Sequence, residues 1–345
     1  MRAIVRTGAT GSHDGAAQAG PGTEISMEMR EVPAPRPGPD EAVVEVVAVS
    51  LNFGGLAYGE LARPGTVLGA DGVGLLRHDP SGRLPARTRV AFTSPHGTWA
   101  ERAVVPCDSL AEVPPAVSDT DAAALPGAGL TALQAVDTLE AALGGLAGRS
   151  VLVTGAAGGV GGYAVQLAKR AGAAVTAVAR SVERQEHARR LGADRAVGSV
   201  EAAEDAGAAG TAGAGEATEA GTSGVGFDGV IDTVGGEALA ASCRVVAPGA
   251  LILNVGHASG QASLIDVEAM RRRAPGARIE AFVCTDVSGR ALSRLLAMVA
   301  AGELEANVGR TRPWGEYRRA VRELLGRRSV GKTVLTVSSP PPSAE

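Results

Sequence analysis

Aromatic residues are scarce in this chain, making up only 3% of its 345 residues. That disfavours an aromatic-rich all-β core. Alanine, glycine and valine carry most of the apolar surface, which suits a parallel sheet with closely apposed helices. Cysteine is nearly absent, and Cys107, Cys243 and Cys284 are odd in number and far apart. They fit neither a disulfide framework nor paired zinc-ligand spacing, so reduced thiols are expected. No apolar run reaches the roughly 18 residues of a membrane span. The opening MRAIVRTGATGSHDG lacks the hydrophobic stretch of a signal peptide. A cytoplasmic protein without membrane attachment is the expectation. Excess positive charge is missing too: the formal net charge is −4, so no basic field supports nucleic-acid binding.

What is present points to two domains, because domains usually run about 100 to 200 residues. The first third reads as short β-type runs separated by turn residues, at 2–6, 42–49, 89–92 and 99–105. From Ala122 onward strands alternate with helices, the pattern of a doubly wound parallel sheet in an α/β fold. Strands are expected at 150–153, 174–179, 225–232 and 250–255, and helices at 161–171 and 182–191. Three stretches interrupt the pattern. The tract 201–224 and the segment 8–22 lack hydrophobic period and read as mobile insertions, and SSPPPSAE at the carboxyl end reads as a disordered tail.

The segment VLVTGAAGGVGGYAVQLAKRAGA is the most informative. A buried strand at 151–153 runs into Ala156, Ala157, Gly158, Gly159, Val160 and Gly161, and a helix follows at once. Small residues there let the backbone approach a pyrophosphate, and the amides opening the helix supply donors and positive potential. A plain tight strand-to-helix turn is the alternative. Ala156 stands where many dinucleotide folds have glycine, and a slightly wider turn is expected to accommodate it. An NAD enzyme places Asp or Glu at the end of the next strand to hold the ribose hydroxyls. This chain reads Ala179, Arg180, Ser181 instead. Arg180 and Arg184, with the Ser181 hydroxyl, suit a 2′-phosphate and predict NADPH. The other reading makes both arginines a solvated helix start, a placement that opposes the helix dipole.

Taken together, VAVSLNF (47–53), LGADGVG (68–74), GTWAERAVVP (97–106), AAALPGAGLTALQAV (122–136), AAGGVG, RRLGAD (189–194), FDGVIDTVGG (227–236) and VGKTVLTV (330–337) resemble the zinc-free quinone reductase branch of the medium-chain dehydrogenase/reductase superfamily. The resemblance implies a GroES-like β-rich catalytic domain over 1–121 and a Rossmann NADPH-binding domain over 122–284. It also implies a return to the first domain over 285–345, with cofactor and substrate held in the cleft between domains. Zinc members of the family have cysteine and histidine where this chain has Asn52 and Ala70, and the four-cysteine structural lobe is missing. No tetrahedral zinc site is therefore expected, and simple alcohol oxidation, which relies on a Lewis acid, is disfavoured.

By the same resemblance Asn52 lies near the nicotinamide ribose and Thr131 beside the nicotinamide ring. Val255, Gly256 and His257 fall along the nicotinamide side of the cofactor, and Lys332 is carried over as a further cofactor residue. Tyr58, in the loop after Asn52, is a candidate proton donor by analogy with related enoyl reductases, or else packs over the cleft with its hydroxyl in water. His96 is a second candidate, with a structural role as its alternative. Gly55 replaces the usual acidic residue of the asparagine loop. The implied activity is NADPH-dependent hydride transfer to a small conjugated carbonyl compound, a quinone or an enone. A tailoring enoyl reductase of a polyketide or acyl-thioester intermediate, and a cofactor-binding member with lost catalysis, remain open. Residues 278–284 look like an edge strand, and the family's habit of pairing such strands implies a homodimer.

Overall fold

A computed structural model describes residues 1–8, 26–57, 63–203 and 226–337. It divides into two compact units, Met1–Leu130 with Thr285–Glu345, and Thr131–Cys284. Strands and helices are numbered in chain order. The chain opens with β1 (Arg2–Arg6), β2 (Met27–Glu31), β3 (Glu41–Ser50), α1 (Phe53–Ala57), β4 (Asp71–His78), β5 (Arg89–Thr93), β6 (Arg102–Pro106), β7 (Ala111–Glu112) and α2 (Asp119–Ala124). Then come α3 (Pro126–Leu143), β8 (Ser150–Thr154), α4 (Gly159–Arg170), β9 (Ala174–Val178), α5 (Val182–Arg190), β10 (Arg195–Val197) and β11 (Phe227–Asp232). They are followed by α6 (Glu237–Ser242), β12 (Val246–Asn254), α7 (Val267–Arg273) and β13 (Arg278–Ala281). The chain closes with α8 (Gly289–Ala300), β14 (Val308–Pro313), α9 (Tyr317–Leu325) and β15 (Lys332–Thr336).

In the first unit a seven-stranded sheet runs β14-β15-β3-β4-β5-β7, with β6 also paired to β3. Strand β3 alternates buried and half-buried positions over most of its length, as a strand with one covered face should. The late strand β15 pairs antiparallel with β3, setting Val334 opposite Ser50. This register brings the carboxyl-terminal part of the chain beside Asn52. The few aromatic side chains concentrate in this unit, where Phe92, Trp99, Trp314 and Tyr317 anchor the core. The sequence expectation of a strand from Trp99 is corrected: β6 begins at Arg102, because Ala100 bridges to Ala3 instead.

The second unit holds a six-stranded sheet, β10-β9-β8-β11-β12-β13, parallel at every pairing. This is the doubly wound order, in which ligands bind beyond the carboxyl ends of the central strands. Strands β8 and β11 are almost wholly buried, as covering both faces requires. The fold is therefore α/β as expected, with boundary differences. Helix α4 starts at Gly159 rather than 161, because Gly158 is its cap. Strand β12 starts four residues before Ala250, continuing through the exposed Pro248 and Gly249. The tract expected to be mobile from Glu201 has an ordered beginning. Residues 201–203 are helical, Ala203 is buried in the core, and Glu201 pairs with Arg244 at 3.1 Å. The rest of that tract, nearly all of the segment 8–22, Tyr58 and the tail 338–345 lie outside the described residues.

Candidate active site

In the first unit a buried polar chain runs through Asn52. Lys332, the first residue of β15, donates from Nζ to the Leu51 carbonyl at 2.7 Å and to Asn52 Oδ1 at 2.6 Å. Asn52 Nδ2 in turn donates to Asp71 Oδ2 at 2.7 Å. Asp71, the first residue of β4, also accepts from Ser50 Oγ and from the Gly127 amide at 3.2 Å. Because the cation takes the amide oxygen and the carboxylate the amide nitrogen, the Asn52 side chain has one sensible orientation. Burial pushes the Lys332 amine down to about 8, while the Asp71 charge pulls the other way. The only lysines in this arginine-rich sequence are Lys169 and Lys332. A lysine can shed its proton when buried and an arginine cannot, so the choice of residue at 332 bears on chemistry as well as packing.

The geometry leaves no room for a larger residue behind this chain. A Cβ on Gly127 would fall 2.7 Å from Asp71 Oδ2 and 2.9 Å from Asn52 Nδ2. Helix α3, which opens with Pro126 pre-set for a first helical turn, thus brings its second residue against Asp71. Thr131 lies one turn further along the same helix and is half-buried. Gly55, in α1, has open space around the position a Cβ would take. His96 is exposed on its loop and joins none of these contacts, although its carbonyl accepts from Ser94 Oγ.

In the second unit the carboxyl ends of β8, β11 and β12 are tied by a fully buried carboxylate, Asp232. It accepts from Thr154 Oγ1 at 2.6 Å, Asn254 Nδ2 at 2.8 Å and the Gly235 amide at 2.9 Å. Thr233 closes the lattice by donating its hydroxyl to the Thr154 carbonyl at 2.9 Å. Above this support lies the glycine-rich turn. The tight turn is made by Gly155, at φ 62°, so Ala156 needs no widened path and the expected wider turn is corrected. A Cβ on Gly161 would sit 2.3 Å from the Gly155 carbonyl oxygen, so α4 packs there backbone against backbone. Ala157, Gly158, Gly159 and Val160 form the turn into α4, whose first turn carries no acidic residue.

Val255, Gly256 and His257 follow β12 directly, with the amides of Val255 and Gly256 bonded to the Asp232 carbonyl. His257 is exposed and lies over Gly235. Arg180 is exposed just past β9, and Ser181 caps α5 by accepting from the Arg184 amide. Since β9, β8, β11 and β12 are adjacent and parallel, this one sheet edge gathers the glycine turn, Arg180, Ser181, Arg184 and residues 255–257. Asn52 and Lys332 meet in the first unit. Asp71, Asp232, Thr154 and Asn254 were not singled out from sequence. The available signal was a lone carboxylate inside an apolar run, as in GVID and GADGVG, because a buried charge must be partnered.

The remaining thiols do not join either cluster. Cys243 is buried, and that burial, reinforced by the Asp232 charge, pushes its thiol up to about 11. Among the described residues no group of three or more His, Cys, Asp or Glu side chains is placed to hold a metal ion, and no helix is long and apolar enough to cross a membrane.

A doubly wound unit with a glycine-lined phosphate turn, carried in one chain with a β-rich unit that holds a buried Lys–Asn–Asp relay, defines a nicotinamide-dependent oxidoreductase. Comparison with known proteins agrees. The zinc-binding dehydrogenase family matches residues 191–335. The quinone oxidoreductase of Pseudomonas aeruginosa is 28% identical over 91% of this chain and 96% of its own length. The spectinabilin polyketide synthase system protein NorB of Streptomyces orinoci is 33% identical over 93% of this chain, which spans 14% of that far longer protein. A mycobacterial protein solved in complex with NADPH shares the fold, with TM-score 0.80 and 24% identity, covering 98% of this chain and all of that one. In sequence and fold the chain is similar to quinone oxidoreductases of the medium-chain dehydrogenase/reductase superfamily.

Proposed function

We propose that this protein uses NADPH to reduce a small conjugated carbonyl compound, a quinone or an enone, without a metal ion. The observation that carries the reading is the Asn52 side chain. Where zinc members of the family have a thiolate ligand, this chain has a neutral amide with its oxygen engaged by Lys332 and its nitrogen by Asp71. Such a group cannot serve as a soft anionic zinc ligand. An acceptor whose developing charge spreads over a conjugated oxygen can be stabilised by hydrogen-bond donors alone. Asn52 keeps a second amide hydrogen beyond the bond to Asp71, and we assign it to the bound ligands.

The residues of the second unit fit a dinucleotide. Gly155 and Gly161 let the turn fold tightly against Thr233 and the start of α4, and the Asp232 lattice holds the strand ends that would line a bound pyrophosphate. Bound along that edge, the nicotinamide supplies the hydride. For the 2′-phosphate we assign Arg180, Ser181 and Arg184, which stand where an NAD enzyme needs a carboxylate. The test is NADPH oxidation against a panel of quinones, simple enones and enoyl thioesters. Turnover with any of them supports reduction of conjugated acceptors. Tight NADPH binding with no turnover across the panel would instead identify a cofactor-binding protein that has lost catalysis.

A second reading, reduction of an enoyl thioester, is favoured by the match to a polyketide synthase over nearly the whole of this chain. We also propose a homodimer paired through β13, whose four residues are all exposed at the edge of the sheet. Sedimentation showing a monomer at micromolar concentration would remove that proposal.

A further inference from the structure

One strongly charged feature is not used by either cluster. From Arg310 to Arg328 the chain carries seven arginines and two glutamates, in a protein whose net charge is −4. Five of the seven come together within the first unit. Glu323, on α9, receives Arg310 Nη1 at 2.9 Å, both oxygens of its carboxylate receive Arg312 Nη2 at 3.0 Å, and Arg319 Nε lies at 3.1 Å. Arg312 also reaches Glu316 at 2.8 Å. The side chains of Arg322 and Arg328 have no carboxylate partner among the described residues, yet they line the same concavity.

That concavity, of about 460 Å³, is bounded by Arg310, Arg319, Arg322 and Arg328 around the single carboxylate of Glu323, a surplus of three positive charges. Guanidinium groups crowded in this way repel one another, and Arg318 and Arg319 occupy the first turn of α9, where a cation opposes the helix dipole. Arg312 and Glu323 are largely buried together, while the pairs that exposed Arg310 and Arg319 make at the rim add little stability; neither accounts for Arg322 and Arg328, which pair with no carboxylate among the described residues. Planar forks converging on one hollow match the oxygens of phosphate groups, which they bind in bidentate fashion. The hollow is also tied to the asparagine loop. Helix α9 packs against α1, which directly follows Asn52, and the Arg327 guanidinium lies 6.0 Å from the Phe53 ring centroid.

We propose that this concavity is an anion site that holds the phosphate groups of a phosphate-bearing thioester substrate. The inference rests on the thioester form of the function proposed above. Arg322 and Arg328 supply the uncommitted guanidiniums, while Arg310 and Arg319 share theirs with Glu323. Phosphate at one end of an extended carrier then sets the affinity, and the enoyl group at the other end is left to react.

Two measurements test it, both with full-length protein saturated with NADPH and at physiological salt, so that weak surface attraction is screened. In the first, free coenzyme A, inorganic pyrophosphate and phosphate-free pantetheine are titrated calorimetrically. Coenzyme A binding that weakens at least tenfold in the Arg322→Glu/Arg328→Glu variant is expected, with pantetheine not binding. Pyrophosphate binding as tightly as coenzyme A would mean that the hollow takes any polyphosphate and would overturn the substrate assignment. Absent coenzyme A binding, or equal binding by the variant, overturns the site itself.

In the second, the same enoyl group is offered as its coenzyme A and its N-acetylcysteamine thioester. The expectation is a lower KM for the coenzyme A thioester that rises about tenfold in the variant, with kcat, quinone or enone turnover and thermal stability unchanged. Equal use of both thioesters by the native protein overturns the proposal. If quinones are reduced and neither thioester is, the thioester reading fails while reduction of conjugated acceptors stands.

Discussion

The two units bury charge in opposite ways. The first unit buries a cation and an anion, Lys332 and Asp71, and separates them with the Asn52 amide. The second buries a single carboxylate, Asp232, and satisfies it with a hydroxyl, an amide side chain and backbone N–H groups. The partners of Asp232 sit on neighbouring strand ends of one doubly wound sheet, so the topology alone assembles them. Lys332 reaches Asn52 across 280 residues of sequence, and only the pairing of β15 with β3 brings it there. The second unit answers its buried carboxylate with uncharged donors on neighbouring strand ends, which tie the sheet edge together. A charged relay can respond to protonation, because burial lowers the pKa of its lysine to about 8.

Breaking the charged relay should have the largest effect. Asp71→Ala removes the acceptor for Asn52, Ser50 and Gly127 and leaves the Lys332 charge buried without its counter-ion. Removing one partner of a buried ion pair costs about 3 to 5 kcal/mol. Urea unfolding followed through the tryptophans, both of which lie in the first unit, should show a loss of that size. A loss below about 1 kcal/mol, the range of exposed ion pairs, would mean that the relay is wet and unimportant.

Lys332 gives the next largest effect, and its sign follows from its lowered pKa. Burial disfavours the charged amine in the folded state, so the native protein sheds this proton near pH 8 while the unfolded chain holds it to about 10.5. Between those values the unfolded state binds more protons and stability rises with pH, by on the order of 3 kcal/mol. Cys243 works against this above about pH 9, because its thiol is held protonated in the fold to about 11. Comparing the native protein with Lys332→Met isolates the lysine: the rise should vanish in the variant. Identical pH slopes from 8 to 10 would mean that Lys332 keeps its proton in the fold over this range and would rule out the lowered pKa.

How much was legible in the sequence differs between the units for the same physical reason. The second unit's nucleotide edge is local, since a strand, a glycine turn and a helix follow one another within about twenty residues, on the order of one βα unit. The arginine at the end of the next strand was equally visible. Gly155 was passed over, because the motif was read from Ala156 although the positive φ falls one residue earlier. In the first unit Asn52 and Lys332 were named separately by resemblance, and nothing in their spacing showed that they touch. Asp71 and Asp232 were read as landmarks and not as ligand-ordering groups, because burial is a tertiary property that a single carboxylate in an apolar run only hints at.

The Asp232 lattice can be tested through its turn. In Gly155→Ala a Cβ would sit 2.2 Å from Thr233 Oγ1, in a residue held at φ 62°. A residue strained in this way costs about 1 to 3 kcal/mol, and Thr233 must give up its bond to Thr154. NADPH affinity, read by quenching of protein fluorescence, should fall at least about tenfold. The Asp71 relay should be untouched, so the first unit should unfold at the same urea concentration as before. Coupled loss in both units would show that the contrast between them is wrong.

The smallest effect is expected at Arg180, and it sharpens the comparison most narrowly because it concerns specificity alone. The side chain is exposed beyond β9 and supports no part of the fold, so Arg180→Asp should leave thermal stability within about 0.5 kcal/mol of the native protein. If its guanidinium meets the 2′-phosphate, the substitution replaces a charge-assisted bond with repulsion, and a carboxylate there also gains the ribose hydroxyls as partners. The ratio of kcat/KM for NADPH over NADH should then fall by about ten- to a hundredfold, the equivalent of roughly 1.4 to 2.8 kcal/mol. Arg184→Ala, at a half-buried position in the first turn of α5, should lower the same ratio less, since Arg180 would still face the phosphate. An unchanged ratio in Arg180→Asp would transfer the specificity to Ser181 and Arg184, and an unchanged ratio in both variants would remove the phosphate clamp from this edge of the sheet.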